Sequence, residues 1–262
     1  MLVDIPTGRL LEADPHKPGP LRQLAKLDVP LGAVAPVANS SDEWIAACGT
    51  GIAMIRAGGR LEWLDKPEDG NRAKMRMNDG CADPAGRFWA GSMAHDVTPD
   101  AGSLYRVDRD GRVTRVLEGI TIANGPAFDA AGTTMYFTDT ARGRIDRFTV
   151  DRESGGLGDR TLFVQMTGGS ESPDGMATDD EDHVWVAVWG AAEVRRYRPD
   201  GSLAETISVP TRRPSSVCLV GRDEPQMFVT TAAEGLKDEF AGALFEMPAS
   251  VRGRPAEFFL PG

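Results

Sequence analysis

One unit recurs along this chain, and a recurring unit constrains the fold more than any local propensity. Short strand-like cores holding an aromatic residue occur at Glu43-Trp44-Ile45-Ala46, Arg87-Phe88-Trp89-Ala90, Met135-Tyr136-Phe137-Thr138, His183-Val184-Trp185-Val186 and Gln226-Met227-Phe228-Val229. With Trp44, Trp89, Tyr136, Trp185 and Phe228 as markers, the steps are 45, 47, 49 and 43 residues. That period suits a four-stranded propeller blade of about 40–50 residues. Turn segments at Asp108-Arg109-Asp110-Gly111, Arg198-Pro199-Asp200-Gly201 and the looser Arg56-Ala57-Gly58-Gly59 close hairpins further on in each unit. No window of twelve or more residues carries a 3.6-residue apolar period, and 30 Gly with 18 Pro interrupt the chain too often for long helices. The sequence therefore predicts an all-β chain. A β-sandwich is the alternative, but it does not require the same aromatic-plus-turn unit five times. Blades of about 46 residues divide the 262 residues into roughly 5.7 units. The prediction is a six-bladed β-propeller spanning residues 1–262 as one domain, with the first or last blade incomplete at the N-terminus.

Charge and composition exclude several function classes. With 29 Lys and Arg against 39 Asp and Glu, the formal charge is −10, the wrong sign for a nucleic-acid or anionic-membrane binder. Neutral small molecules or cations are the expected partners. Cys48, Cys81 and Cys218 lie far apart with no CxxC pair, so they read as reduced core thiols of a cytoplasmic protein rather than a disulfide framework or zinc ribbon. Three histidines, His16, His95 and His183, are too few for a His-rich zinc site and make a Ser-His-Asp triad hard to assemble. Asp4 and Pro6 interrupt the start of the chain, which does not read as a signal peptide, and no apolar run approaches the roughly 20 residues of a membrane span. Gly49-Thr50-Gly51 lacks the third Gly of a dinucleotide loop, and neither a GxxxxGK loop nor a GxSxG elbow occurs.

Hydrolytic chemistry must then lean on carboxylates or a metal. The segment before each marker is predicted to be the innermost strand of its blade. Three of these segments share one pattern: Asn78-Asp79-Gly80-Cys81-Ala82, Ala123-Asn124-Gly125-Pro126-Ala127 and Pro173-Asp174-Gly175-Met176-Ala177. Leu31-Gly32-Ala33-Val34-Ala35 and Ser215-Ser216-Val217-Cys218 lack the acid or amide. Radial repetition predicts that Asp79 or Asn78, Asn124 and Asp174 converge. Oxygen donors from separate blades suit one hard divalent cation, calcium, magnesium or manganese, with zinc also compatible. Arg76 stands two residues before Asn78, so both side chains share a strand face and reach one cavity. Asp179-Asp180-Glu181-Asp182 lacks EF-hand spacing and reads as a solvated blade turn.

These residues resemble the SMP-30/gluconolactonase/regucalcin-like proteins. The resemblance rests on Arg76-Met77-Asn78-Asp79-Gly80, the stretch from Asp83 to Met93 (DPAGRFWAGSM), Asn124-Gly125-Pro126-Ala127, Pro173-Asp174-Gly175-Met176 and Arg213-Pro214-Ser215-Ser216-Val217, in the family's order. The DPAGRFWAGSM stretch is specific; the shorter pieces gain weight from their order. The resemblance implies a six-bladed propeller with one divalent cation and hydrolysis of sugar lactones to sugar acids. It implies Asn124 and Asp174 as metal ligands, Asp174 also as general base, and Arg76, Asn78 and Asp96 as substrate-binding residues, Asp96 standing where many members carry a longer Glu. It further implies a third ligand, a Glu in a Gly-Glu-Gly-Pro stretch, ahead of a strand whose end matches Met1-Leu2-Val3-Asp4-Ile5. Glu12, in the next strand, does not replace it. Two alternatives follow: a cation-binding propeller without catalysis, and a phosphotriesterase-like propeller.

Overall fold

The structure is a computed structural model that describes residues 1–14, 17, 19–71, 73–167, 169–221 and 223–262. His16 lies outside the described residues. Six antiparallel sheets follow one another along the chain. Sheet 1 contains Leu2–Asp4, Arg9–Glu12 and Arg22–Lys26; sheet 2 contains Leu31–Pro36, Trp44–Cys48, Gly51–Arg56 and Arg60–Asp65; sheet 3 contains Met75–Ala82, Phe88–Ala94, Gly102–Val107 and Val113–Ile120. Sheet 4 contains Ala123–Phe128, Thr134–Asp139, Arg144–Val150 and Leu157–Gln165; sheet 5 contains Ser172–Thr178, Val184–Trp189, Glu193–Tyr197 and Leu203–Ser208; sheet 6 contains Pro214–Val220, Gln226–Thr231 and Leu244–Pro248. The helical content among the described residues is two three-residue 3-10 turns, Ala57–Gly59 and Thr140–Arg142. Among the described residues no helix is long and apolar enough to cross a membrane. Every aromatic marker falls in the second strand of its sheet, and the three predicted turns join third strands to fourth strands. Gly111 and Gly201 take φ of +82° and +87° there, left-handed values that explain why glycine closes these hairpins.

The chain divides into two compact units, residues 1–123 with 256–262, and residues 124–255. In the first unit, Ile45, Ile52, Met77, Phe88 and Tyr105 pack between sheets 2 and 3, and Leu10, Leu31, Trp44 and Ile55 pack between sheets 1 and 2. Fully burying one such side chain contributes about 1.5–3 kcal/mol. The C-terminal segment belongs to this unit: Phe259 forms a parallel bridge with Val37, and the Leu260 amide donates to the Gly86 carbonyl at 3.0 Å. Leu2–Asp4 lies at the edge of its three-stranded sheet, paired with Arg9–Glu12, and Glu12 receives the Arg22 guanidinium at 2.8 Å. In the second unit, Tyr136, Ile145, Phe163, Val186 and Tyr197 pack between sheets 4 and 5, and Trp185, Val194, Val217 and Met227 between sheets 5 and 6.

Two sequence expectations are corrected. None of the three cysteines is in a disulfide, as expected, but Cys48 alone is a buried core thiol; Cys81 is half-buried and Cys218 exposed. Burial pushes the Cys48 thiol up to about 12. Asp179, first residue of the acidic stretch, is fully buried rather than solvated. Its Oδ1 accepts from the Glu181 and His183 amides at 3.0 Å, and its Oδ2 accepts from the Trp185 indole at 2.9 Å and from Arg196 Nε at 2.8 Å. The Asp folds the turn back onto the marker tryptophan, which is why it leaves solvent.

Candidate functional site

Two of the polar segments singled out in the sequence, Asn78-Asp79 and Asp174-Gly175, sit where regular pairing breaks. Each first strand is an edge strand of its sheet. In four sheets its register with the second strand shifts, between Leu31 and Ala33, Met77 and Gly80, Pro173 and Met176, and Pro214 and Ser216. Asn78-Asp79 and Asp174-Gly175 therefore occupy β-bulges, which interrupt the ladder locally and re-aim side chains. Gly175 serves a second purpose: a Cβ there would lie 2.5 Å from Ser216 Oγ, so only glycine lets the first strands of sheets 5 and 6 approach this closely.

In the first unit, Arg76 and Asn78 meet as predicted. Arg76 Nη1 donates to Asn78 Oδ1 at 2.6 Å and to the Met77 carbonyl at 3.0 Å. Asn78 is 5% exposed, and its Nδ2 donates to the Ala123 carbonyl at 2.7 Å. A carbonyl can only accept, so this bond fixes which end of the amide faces Arg76. Asp79 Oδ1 accepts from the Gly80 amide at 2.8 Å. Asp96 is exposed on the turn after Phe88–Ala94, where its Oδ1 accepts from the Thr98 hydroxyl at 2.7 Å and the Thr98 amide at 3.1 Å. These two bonds, the hydroxyl first, hold its carboxyl below the usual range.

In the second unit, Asn124 is also 5% exposed, and its Nδ2 donates to Thr140 Oγ1 at 2.7 Å. Thr140 Oγ1 in turn donates to the Pro173 carbonyl at 2.6 Å, next to Asp174. The single hydroxyl proton is committed to that carbonyl, so the Asn124 amide must present its NH2 to Thr140 and turn Oδ1 the other way. Asp174 is half-buried on its bulge. The donor chemistry of this pair, an oriented amide oxygen and a carboxylate, fits a hard divalent cation. No cluster of three or more His, Cys, Asp or Glu side chains able to hold a metal occurs among the described residues, so such a cation would draw on the amide oxygen as well as carboxylate. Sequence reasoning missed Thr140. It follows Asp139 at the end of a second strand and carries no motif; only the folded sheet brings it between Asn124 and Pro173.

Residues 1–233 match the SMP-30/Gluconolactonase/LRE-like region. The chain belongs to that family. Pentonolactonase XacC of Haloferax volcanii is 35% identical over 228 residues, 78% of either chain, and regucalcin of Gallus gallus is 30% identical over 246 residues, 89% of this chain and 82% of its own. The crystal structure of a calcium-binding protein, regucalcin, from Agrobacterium tumefaciens is similar with a TM-score of 0.82 at 31% identity, covering 89% of this chain and 80% of that one. The six sheets are thus the blades of a six-bladed β-propeller, the fold that the aromatic period predicted. Three of the first strands that carry the family's motifs are bulged, at Asn78-Asp79, Asp174-Gly175 and next to Pro214.

Proposed function

We infer that the protein hydrolyses sugar lactones to sugar acids with the help of one divalent cation, calcium, magnesium, manganese or zinc. The observation that carries this is the Asn124–Thr140–Pro173 chain, which orients an amide oxygen in the same unit as the bulged Asp174. The pentonolactonase among the relatives and the family's name support the reaction class. Asn124 and Asp174 would hold the cation, which when bound supplies Lewis-acid polarisation of the lactone carbonyl. Asp174 takes the proton from the attacking water as general base. Arg76 and Asn78 hold ring hydroxyls through a guanidinium and an amide already locked to one another, which lowers the cost of ordering them around the substrate. Asp96 adds a charged acceptor for a further hydroxyl. A pH-indicator assay on gluconolactone, with and without added divalent cation, tests the reading. Cation-dependent turnover in the wild type, reduced at least about a thousandfold in Asp174→Ala, is expected; undiminished turnover in that variant overturns it.

The second reading is a cation-binding propeller without catalysis. The calcium-binding regucalcin relative favours it. Calorimetric binding of a divalent cation with no lactone turnover in the same preparation would select it.

A further inference from the structure

The first unit contains a cavity of about 360 Å³ whose walls include Trp63, Lys66, Glu68, Lys74, Arg76 and His95. Its volume lies within the range of small-ligand sites, about 300–1,000 Å³. The chain as a whole carries a formal charge of −10, yet three cationic side chains gather here. The two acids of the wall are turned to donors of the protein itself. Glu68 is 3% exposed; its Oε1 accepts from the Tyr105 hydroxyl at 2.9 Å and from Ser92 Oγ, and its Oε2 accepts from Asn71 Nδ2 at 2.7 Å. Asp69 accepts from the Thr50 hydroxyl. By contrast, no carboxylate among the described residues forms an ion pair with Lys66 or Lys74, both exposed at the rim. Lys66 Nζ stands 4.3 Å from the Trp63 ring centroid, which fixes its ammonium over an aromatic face. Desolvation, then the positive charges of Arg76 and Lys74, hold the His95 imidazole below its ordinary value. Lys66, Lys74 and Arg76 against Glu68 and Asp69 leave the wall a formal charge of +1 (3 − 2), opposite in sign to the chain, with the ammonium groups at the open rim where an anion would enter.

We propose that this cavity is a subsite for an anionic oxygen group, a phosphate ester or a carboxylate carried by a sugar, so that charged aldonolactones and the acids they yield are its ligands. Arg76 connects the subsite to the ring-hydroxyl contact described above, and that connection to catalysis rests on the lactonase reading. The binding claim itself does not. Lys66 and Lys74 supply the charge, and Trp63 supplies a flat apolar wall for the sugar carbons.

The test is equilibrium binding of phosphogluconate, gluconate and inorganic phosphate to the full chain, followed by calorimetry. The wild type is compared with Lys66→Met/Lys74→Met and Lys66→Arg/Lys74→Arg. Both lysines are exposed, and methionine keeps most of the aliphatic stem, so both pairs should fold. The methionine pair should bind at least about tenfold more weakly, and the arginine pair should stay within about threefold of wild type. Raising salt from about 50 mM to about 500 mM should weaken the wild type and leave the methionine pair nearly unchanged. Phosphogluconate binding tighter than gluconate identifies the phosphate ester as the preferred source of the charge, and equal binding identifies the carboxylate. Affinity unchanged in the methionine pair, or no binding of any of the three probes at millimolar concentration, overturns the subsite. Charge-dependent binding without gluconolactone turnover overturns only the lactonase reading, and turnover without charge-dependent binding overturns only the subsite.

Discussion

Two sets of polar residues occupy repeat-equivalent places in these sheets, and they are bonded in opposite ways. Asp83 and Asp179 each precede a marker tryptophan by six residues. Asp83 is 2% exposed: its Oδ1 accepts from the Ala85 and Arg87 amides at 2.9 Å, and its Oδ2 from Arg87 Nη1 at 3.0 Å and the Trp89 indole at 2.9 Å. Asp179 repeats the arrangement with Glu181, His183, Trp185 and Arg196. Asp129 makes the turn half of it, its Oδ1 accepting from the Thr133 and Thr134 amides at 2.8 and 3.0 Å, but the marker that follows is Tyr136, which has no indole to donate. All the partners of these acids lie within their own sheet. Asn78 and Asn124 instead reach towards the next sheet with their NH2 groups, Asn78 to the Ala123 carbonyl and Asn124 to the Thr140 hydroxyl that donates on to the Pro173 carbonyl, while Asn78 Oδ1 accepts from Arg76. A saturated acid closes a turn within its sheet; these two amides connect one sheet to the next.

Removing a saturated acid should therefore damage the fold, and removing a site acid should not. In Asp179→Ala the Trp185 indole and Arg196, whose side chain is 11% exposed and lies over the Trp185 ring, lose a buried partner. Breaking a buried charged pair from one side costs about 3–5 kcal/mol. Urea denaturation of Asp179→Ala should show a loss of that size, while Asp174→Ala should change stability by less than about 1 kcal/mol. Equal losses in the two variants would erase the distinction.

A smaller effect should separate orientation from presence within the site. Thr140→Val keeps the volume, removes the hydroxyl and leaves the Asn124 amide and the Pro173 carbonyl without their shared partner. Residues that orient a metal ligand typically alter affinity or activity by about 10–100-fold. Divalent-cation affinity, measured by calorimetry, should fall about tenfold in Thr140→Val and recover in Thr140→Ser. Equal affinities in all three chains would mean that the Asn124 amide needs no such hold.

The sequence disclosed what is local and periodic. The aromatic markers and the Asp-Gly turns are contiguous signals, and each marks a second strand or a hairpin because the blade repeats the same short-range pattern. Arg76 and Asn78 met because strand alternation alone puts residues two apart on one face. The bulges were not legible, since a bulge is a property of two paired strands and the partner strand is not contiguous with it. Thr140 was hidden for the same reason. The turn aspartates could have been found: Asp83, Asp129 and Asp179 stand six or seven residues before Trp89, Tyr136 and Trp185, a period as regular as that of the markers. The acidic company of Asp179 obscured it by suggesting a solvated run. Phe228 is the marker that is only half-buried; like Tyr136 it lacks an indole N–H to hold a turn aspartate.

Asp96 stands between the two classes and offers the finest test of the contrast. It is exposed, as a substrate contact must be, yet its Oδ1 already accepts two bonds from Thr98 in its own turn. The Thr98 hydroxyl, then the Thr98 amide, lower the carboxyl's pKa in the folded state. A carboxyl so depressed contributes stability that is fully present above its unfolded value and is lost as pH falls through the folded one, so acidification should loosen this turn and neutral pH should not. Across the neutral range Asp96 stays ionised, and its own titration should not enter the pH profile of turnover. Asp96→Asn retains an acceptor for Thr98 and removes only the charge. If Asp96 holds a sugar hydroxyl, KM for gluconolactone should rise about three- to tenfold, with kcat and the pH profile above about pH 5 unchanged. An unaltered KM would assign Asp96 to the turn-closing acids, with an exposed carboxylate but no role toward the substrate.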